Sequence, residues 1–283
     1  MLAPPQAGSL ARGQATPAQS PCSVVGDLEL VPFQSQVFAN QRMLRVWLPP
    51  GYRAPQNRRE KYAVLYLNDG QDVFNACTSV FNAQEWQADE TATRLIESGE
   101  IQPLIIVGVD NAGKKNRPRE YLPFPDDTLR PIVLDVHGQD YPRFLVDEVM
   151  PFINQRYRTK TDAPNTALGG SSYGAGIALY AAIMKPGRFG KLLLESPSLY
   201  AHDDYLIHLA ESFHRWPSKI FIGVGTVNEP LDDVRRLEAI LRKSGIRDDQ
   251  LQVLSREGAG HDERAWAERL PIALRFMFGS RKL

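Results

Sequence analysis

The chain has little sulfur: two cysteines, Cys22 and Cys77, among 283 residues. Two thiols cannot build a metal cluster or a disulfide framework by themselves. They could pair in an oxidising compartment, but two free thiols is the simpler expectation. An excess of charge is also lacking, since 33 Lys+Arg balance 33 Asp+Glu. A neutral chain has no global electrostatic drive toward nucleic acid or anionic lipid, whose binders usually carry a basic surplus. No apolar run approaches the roughly 20 residues that a membrane-spanning helix needs. With 43% hydrophobic residues, the composition is not that of a disordered chain either. What remains is a soluble globular protein, an enzyme or a binding module, of a length that suits one large domain or two small ones.

Large apolar side chains are scarce in the first stretch, MLAPPQAGSLARGQATPAQSPC. Such a segment cannot bury enough surface to offset its ordering entropy, so residues 1–27 are expected to form a flexible lead. The apolar centre of a signal peptide is missing. A cytosolic chain and an exported chain whose signal has been removed could both begin this way, and the reading leans to the exported one.

From residue 28 the pattern changes. LELVPFQSQVF and RMLRVWL, divided by a polar break, read as an antiparallel hairpin. Short apolar runs then alternate with helical patterns: AVLYL (63–67), LIIVGV (104–109), TALGG (166–170), KLLLE (191–195), KIFIGVG (219–225) and LQVLS (251–255). Their near-continuous apolar character suits strands of a parallel sheet buried on both faces. Between them, residues 143–157 place Leu145, Val149, Phe152 and Ile153 on one helical face. The expected fold is α/β: one domain over residues 28–283, with a mostly parallel sheet, an N-terminal antiparallel hairpin, helices on both faces and no large lid.

The most informative stretch is LGGSSYGAG, where an apolar strand runs into Gly170-Ser171-Ser172-Tyr173-Gly174 and a small-residue helix follows. This is G-x-S-x-G in the strand–turn–helix setting that gives the motif meaning. The turn is sharp enough that bulky side chains two residues either side of the serine would collide, hence Gly170 and Gly174. It aims the Ser172 hydroxyl at a helix N-terminus, whose free N–H groups favour a developing anion. Ser171 fails the spacing, since Gly169 and Tyr173 flank it at the two positions.

A serine nucleophile needs a base, and in this fold the acid and then the histidine follow the nucleophile along the chain. Of His137, His202, His208, His214 and His261, only His261 lies after the last strand, in GAGHDERAW. The HDERA string is not H-E-x-x-H, which excludes the zinc-protease pattern. The acid should follow KIFIGVG, where TVNEPLDD offers Glu229, Asp232 and Asp233. Glu229 comes soonest and is favoured, with Asp232 the main alternative. A carboxylate there would fix the His261 tautomer and stabilise its imidazolium. The oxyanion would be met by the backbone N–H of Tyr173 and by one from Asn68-Asp69-Gly70-Gln71-Asp72, with Gln71 the better candidate because Gly70 lets the chain turn.

With these residues placed, the chain resembles the enterochelin-esterase-like branch of the Putative esterase family, within the α/β-hydrolases. The likeness runs from about residue 28 to 278 and is carried by VLYLNDGQDVF, EWQADE, IIVGVDNAGKKNRPREYLPF, FLVDEVMPFINQRYRT, GGSSYGAG, LESPSLY, VGTVNEP and EGAGHDERAW. The resemblance implies Ser172 as nucleophile, His261 as base and Glu229 in the usual place of the acid, although some relatives manage with a serine–histidine dyad. It makes Arg117, in R-x-x-E-Y, a candidate for gripping polar or anionic substrate groups, with an ion pair to Glu120 the equal alternative. Two departures stand out: Asn68 replaces the usual histidine ahead of Asp-Gly, and Tyr173 follows the serine where methionine or phenylalanine is commoner. The implied activity is cofactor-free, metal-free hydrolysis of a carboxylic ester through an acyl-enzyme. Trp86, Tyr121, Phe124, Tyr173 and Tyr200 could face an aromatic or polar ester of siderophore, feruloyl or acetyl-sugar type. An acyltransferase using the same residues, a binding module that has lost catalysis, and a peptidase are the alternatives; the expected partner is a small-molecule or sugar ester, with no nucleic acid, and the oligomeric state is open.

Overall fold

The computed structural model describes residues 22–81, 83–126 and 132–280. Residues 1–21 of the expected lead lie outside these. The hairpin consists of β1 (Asp27–Gln34) and β2 (Gln41–Leu48), paired antiparallel from Asp27 opposite Leu48 to Gln34 opposite Gln41. Each apolar run read as a strand is one: β3 (Ala63–Asn68), β4 (Leu104–Val109), β5 (Thr166–Ser171), β6 (Lys191–Glu195), β7 (Lys219–Gly225) and β8 (Leu251–Arg256). They form an eight-stranded sheet in the order β1-β2-β4-β3-β5-β6-β7-β8. The β2–β4 pair is antiparallel, and every pairing from β4 through β8 is parallel.

Alternate residues of the central strands enter different cores, which is why both parities of their sequence are apolar. Val64, Tyr66, Leu192, Leu194, Ile220 and Ile222 pack on one face. Leu65, Leu67, Leu193 and Phe221 pack on the other. The first face is covered by α4 (Met150–Arg156), α5 (Tyr173–Met184), α6 (Ala201–Ser212) and α7 (Leu231–Lys243). The second is covered by α1 (Ala88–Glu97) and α8 (Glu263–Phe278). Each leucine or isoleucine so enclosed contributes about 1.5–3 kcal/mol relative to exposure. Two short helices, α2 (Arg117–Tyr121) and α3 (Tyr141–Arg143), lie on the connections.

The segment expected as one helix over 143–157 is helical but not uniform. A π-helical stretch, Phe144–Val149, lies between α3 and α4. It ends two residues before Pro151, which has no N–H to return to the Asp147 carbonyl and whose ring crowds that group. The apolar face survives the widening: Leu145, Val149 and Ile153 are fully buried.

The cysteines correct two expectations at once. Cys22 and Cys77 form a disulfide rather than two free thiols. The residues just after Cys22, assigned by composition to a flexible lead, are fixed against the sheet as well. Trp47 Nε1 donates to the Val25 carbonyl at 2.8 Å, and the Val25 N–H donates to Asp89 Oδ2 at 2.6 Å. Composition weighs a segment's own apolar content and cannot register a covalent tie to a residue 55 positions away. Among the described residues, no helix is long and apolar enough to cross a membrane.

Candidate active site

Because β3 through β8 run parallel, the loops leaving their C-terminal ends gather along one edge of the sheet. The sharpest is the turn from β5 into α5. Ser172 occupies it with φ 56° and ψ −127°, a conformation that costs a non-glycine residue on the order of 1–3 kcal/mol. Backbone bonds over-determine it. The Ser172 N–H donates to the Glu195 carbonyl at 2.9 Å, and its own carbonyl accepts from Ala175, Gly176 and Ser198 at 3.1, 3.0 and 3.2 Å. Gly170 and Gly174 allow the turn to close: a Cβ on Gly170 would lie 2.8 Å from the Gly174 carbonyl carbon and oxygen, and one on Gly174 would lie 2.8 Å from Asp69 Oδ2.

His261 stands on the loop between β8 and α8. Its Nδ1 is 3.0 Å from Glu229 Oε2, and its ring meets Trp266 edge-on with centroids 5.4 Å apart. The Glu229 side chain is fully buried, and its second oxygen accepts from Ser196 Oγ at 2.7 Å. Trp266 Nε1 in turn donates to Ser196 Oγ at 3.1 Å. The chain Trp266–Ser196–Glu229–His261 therefore ties the imidazole to the ends of β6 and β7 and the start of α8. Asp232, the alternative acid, is elsewhere: its side chain is 90% exposed and pairs with Arg235. Asp233 pairs with Arg236. Both belong to the first turn of α7; Asp233 borders a groove that His261 also lines, but the carboxylate that meets the imidazole is that of Glu229.

Ser172 and His261 line one cavity of about 210 Å³. The Ser172 hydroxyl lies 3.4 Å from Ser198 Oγ, and among the described residues no hydrogen bond joins it to His261. The remaining wall is aromatic and charged, with Phe81, Trp86 and Trp266 beside Lys114, Arg117 and Asp72. Asp72 is nearly inaccessible and has one oxygen, Oδ2, with no hydrogen-bond partner. Burial, reinforced by Asp69 and Glu263, pushes its carboxyl up to about 7.

Of the residues expected to meet substrate, Trp86 is in this wall. Arg117 also lines it, but its ion-pair partner is Asp69 and not Glu120. Nε and Nη2 donate to Asp69 Oδ1 and Oδ2 at 2.7 and 2.8 Å. Glu120 is held instead by Arg42 at 2.7 Å. The R-x-x-E spacing brings Arg117 and Glu120 onto neighbouring helical positions, yet Arg42 on β2 reaches Glu120 first from the adjoining strand. Tyr121 is buried behind the site, where its hydroxyl accepts from the Asp69 N–H at 3.2 Å and its ring packs edge-on against Tyr141. With Phe124 and Tyr173 it borders a separate, nearly filled cleft. Tyr200 borders an open groove on the far side of His261.

Gln71 and Tyr173, the expected oxyanion donors, sit at the starts of a 3-10 turn (Gly70–Asp72) and of α5. First-turn N–H groups have no partner within their own helix. The Gln71 side chain accepts from the Asn111 N–H at 3.2 Å, which fixes the turn. Sequence reasoning overlooked Ser196, Ser198, Asp69, Asp72 and Lys114. The first two follow β6, the strand next to the serine's own, and that adjacency was the available signal.

The comparisons agree with this architecture. A solved ferulic acid esterase superposes with a TM-score of 0.70 at 22% identity, covering 90% of this chain and 98% of that one. The enterochelin esterase of Shigella flexneri gives a TM-score of 0.70 at 19% identity, covering 91% of this chain and 60% of that one. In sequence, the endo-1,4-beta-xylanase/feruloyl esterase of Xylanibacter ruminicola is 25% identical over 261 residues, which are 89% of this chain and 31% of that protein. The chain thus spans less than two thirds of each of the last two. Residues 35–277 match the family described as Putative esterase, and the chain belongs to that family.

Proposed function

We propose that the protein is a serine carboxylic-ester hydrolase working through an acyl-enzyme. The observation that carries this reading is the strained Ser172 turn opening into the same cavity as an imidazole whose other nitrogen is held by a buried carboxylate. Ser172 Oγ attacks the ester carbonyl while His261 Nε2 takes its proton. Glu229 keeps the Nδ1–H tautomer and stabilises the imidazolium that forms. The tetrahedral oxyanion rests on the Tyr173 and Gln71 N–H groups, each such donor being worth about 100- to 1000-fold in rate. His261 returns the proton to the departing alcohol. It then activates water to free the acyl group. The Ser172 hydroxyl rests beside Ser198, and its bond to the imidazole belongs to the substrate-bound state, since such bonds often tighten only then.

The cavity wall supports an aromatic ester with polar substituents. Phe81, Trp86 and Trp266 offer ring faces, while Lys114 and the acids around Asp72 offer charge for hydroxyl or carboxylate groups. The relatives named as feruloyl and enterochelin esterases are in keeping with that class. A panel of methyl ferulate, a catecholate trilactone and p-nitrophenyl acetate tests it. The wild type should show a higher kcat/KM on the ferulate or the catecholate trilactone, which carry aromatic groups for the wall to receive, than on p-nitrophenyl acetate, and Ser172→Ala should turn over none; normal turnover by Ser172→Ala would refute the reading.

A further inference from the structure

Some 85 residues into the chain, outside the cavity just described, three carboxyl groups converge. Glu85, Asp89 and Glu90 each offer an oxygen, and these oxygens lie within 4.8 Å of one another. Packing does not explain the arrangement. Asp89 is fully buried, and its Oδ1 has no hydrogen-bond partner. Glu85 Oε2 and Glu90 Oε2 are equally buried and unmatched, as is Thr93 Oγ1 one turn further along α1. Ten such orphan atoms occur among the described residues, and these four fall within nine consecutive positions. No Lys or Arg among the described residues forms an ion pair with any of the three acids, although Arg94 and Arg264 border the neighbouring cleft with Glu85. Leaving a buried acceptor unmet usually costs on the order of 1–3 kcal/mol, and more for a charged one.

The N-terminus of α1 accounts for part of this, since Asp89 and Glu90 stand in its first turn where negative charge is favoured. It does not account for the inward-facing lone pairs or for Glu85, which precedes the helix. The crowding has its own cost: three carboxyl oxygens within 4.8 Å of one another repel when ionised. A counter-charge at the common focus would remove both the repulsion and the unmet acceptors.

We propose that Glu85, Asp89 and Glu90 form a calcium-binding site. The donors are all hard oxygens, with no imidazole or thiolate among them, which disfavours zinc and copper and fits calcium or magnesium. The irregular set, drawn from one loop residue and one helix turn, suits the flexible coordination of calcium better than the near-ideal octahedron that magnesium demands. The site also has a structural reach. Asp89 Oδ2 receives the Val25 N–H, and Trp86, between the ligands in sequence, donates its N–H to the Asp72 carbonyl at 2.9 Å. Calcium here would clasp the N-terminal segment to α1 and brace the strand of chain that presents Trp86 to the catalytic cavity.

The test is isothermal titration of the EDTA-treated full chain with calcium chloride, alongside thermal melts with and without the ion. One binding event per chain and a raised Tm are expected, with magnesium binding at least tenfold more weakly. Glu90→Gln and Glu85→Gln should each weaken calcium binding by tenfold or more. Asp89→Asn, which keeps an oxygen for Val25, should do the same in a chain that still melts cooperatively. Absence of heat and of any Tm shift at 10 mM calcium would overturn the proposal, as would calcium binding that survives all three substitutions. Magnesium binding as tight as calcium would overturn the choice of ion.

Discussion

Glu229 shows how one side chain can decide a site. Its buried carboxylate receives Ser196 on one oxygen and faces His261 on the other, so the imidazole has one tautomer and one orientation. Glu229→Gln should leave the fold intact and lower kcat by about 100- to 10,000-fold, because an amide can present its NH2 to Nδ1 and select the wrong tautomer. Steady-state kinetics on p-nitrophenyl acetate check this, with Asp232→Asn as the control that should change nothing. Asp72 gives a prediction about pH. Its carboxyl titrates near 7 in the folded chain, raised from 3.8. The group's contribution is therefore intact below about pH 4 and is lost as pH climbs through 7, when a buried charge must form. Asp72→Asn escapes that loss while keeping an oxygen for the Val80 N–H. Its Tm should gain on the wild type progressively from pH 4 to pH 8, and a difference that does not vary with pH would contradict the assignment.

At the scale of elements, the β5–α5 turn stores strain that the rest of the fold holds in place. Ser172→Gly should be more stable than Ser172→Ala by about 1 kcal/mol in denaturant unfolding, because glycine accepts the positive φ while alanine does not. Both should be inactive. The strands and the turn were legible in the sequence because burial on two faces and a backbone that tolerates only glycine at fixed offsets leave a local signature. The hairpin β1–β2 was legible through its two β-rich runs and the polar break between them. The choice between Glu229 and Asp232 was not secured by spacing, since both follow β7 and only the direction of the chain through Asn228 and Pro230 separates them. Arg117 was legible as a site residue but not its pairing: Asp69 reaches it across 48 positions, a contact made by tertiary packing rather than by local order. The π-helical stretch before Pro151 likewise needed the three-dimensional ladder to be seen.

For the whole molecule, the neutral balance of charge turns out to conceal strong local fields. Lys114, Arg117, Asp69 and Asp72 line one small cavity, and the burial of Asp69, Asp72 and Arg117 lets their charges act at greater strength than on the surface. The two cysteines matter more than their number suggested. Their bridge closes a loop of 55 residues, and in the chain-entropy account a loop of that size is worth about 4 kcal/mol. Reduction, or Cys22→Ser with Cys77→Ser, should lower Tm by several degrees, while thiol titration of the unreduced, unfolded protein should find none; two reactive thiols would contradict the bridge.

The central claim is that Ser172, activated by His261, is the nucleophile. A fluorophosphonate probe followed by peptide mass spectrometry tests it most directly. The account predicts a single adduct on the peptide containing Ser172, abolished by Ser172→Ala and slowed by at least 100-fold in His261→Ala. Stoichiometric labelling at another residue, or an active enzyme that the probe leaves unmodified, would contradict it.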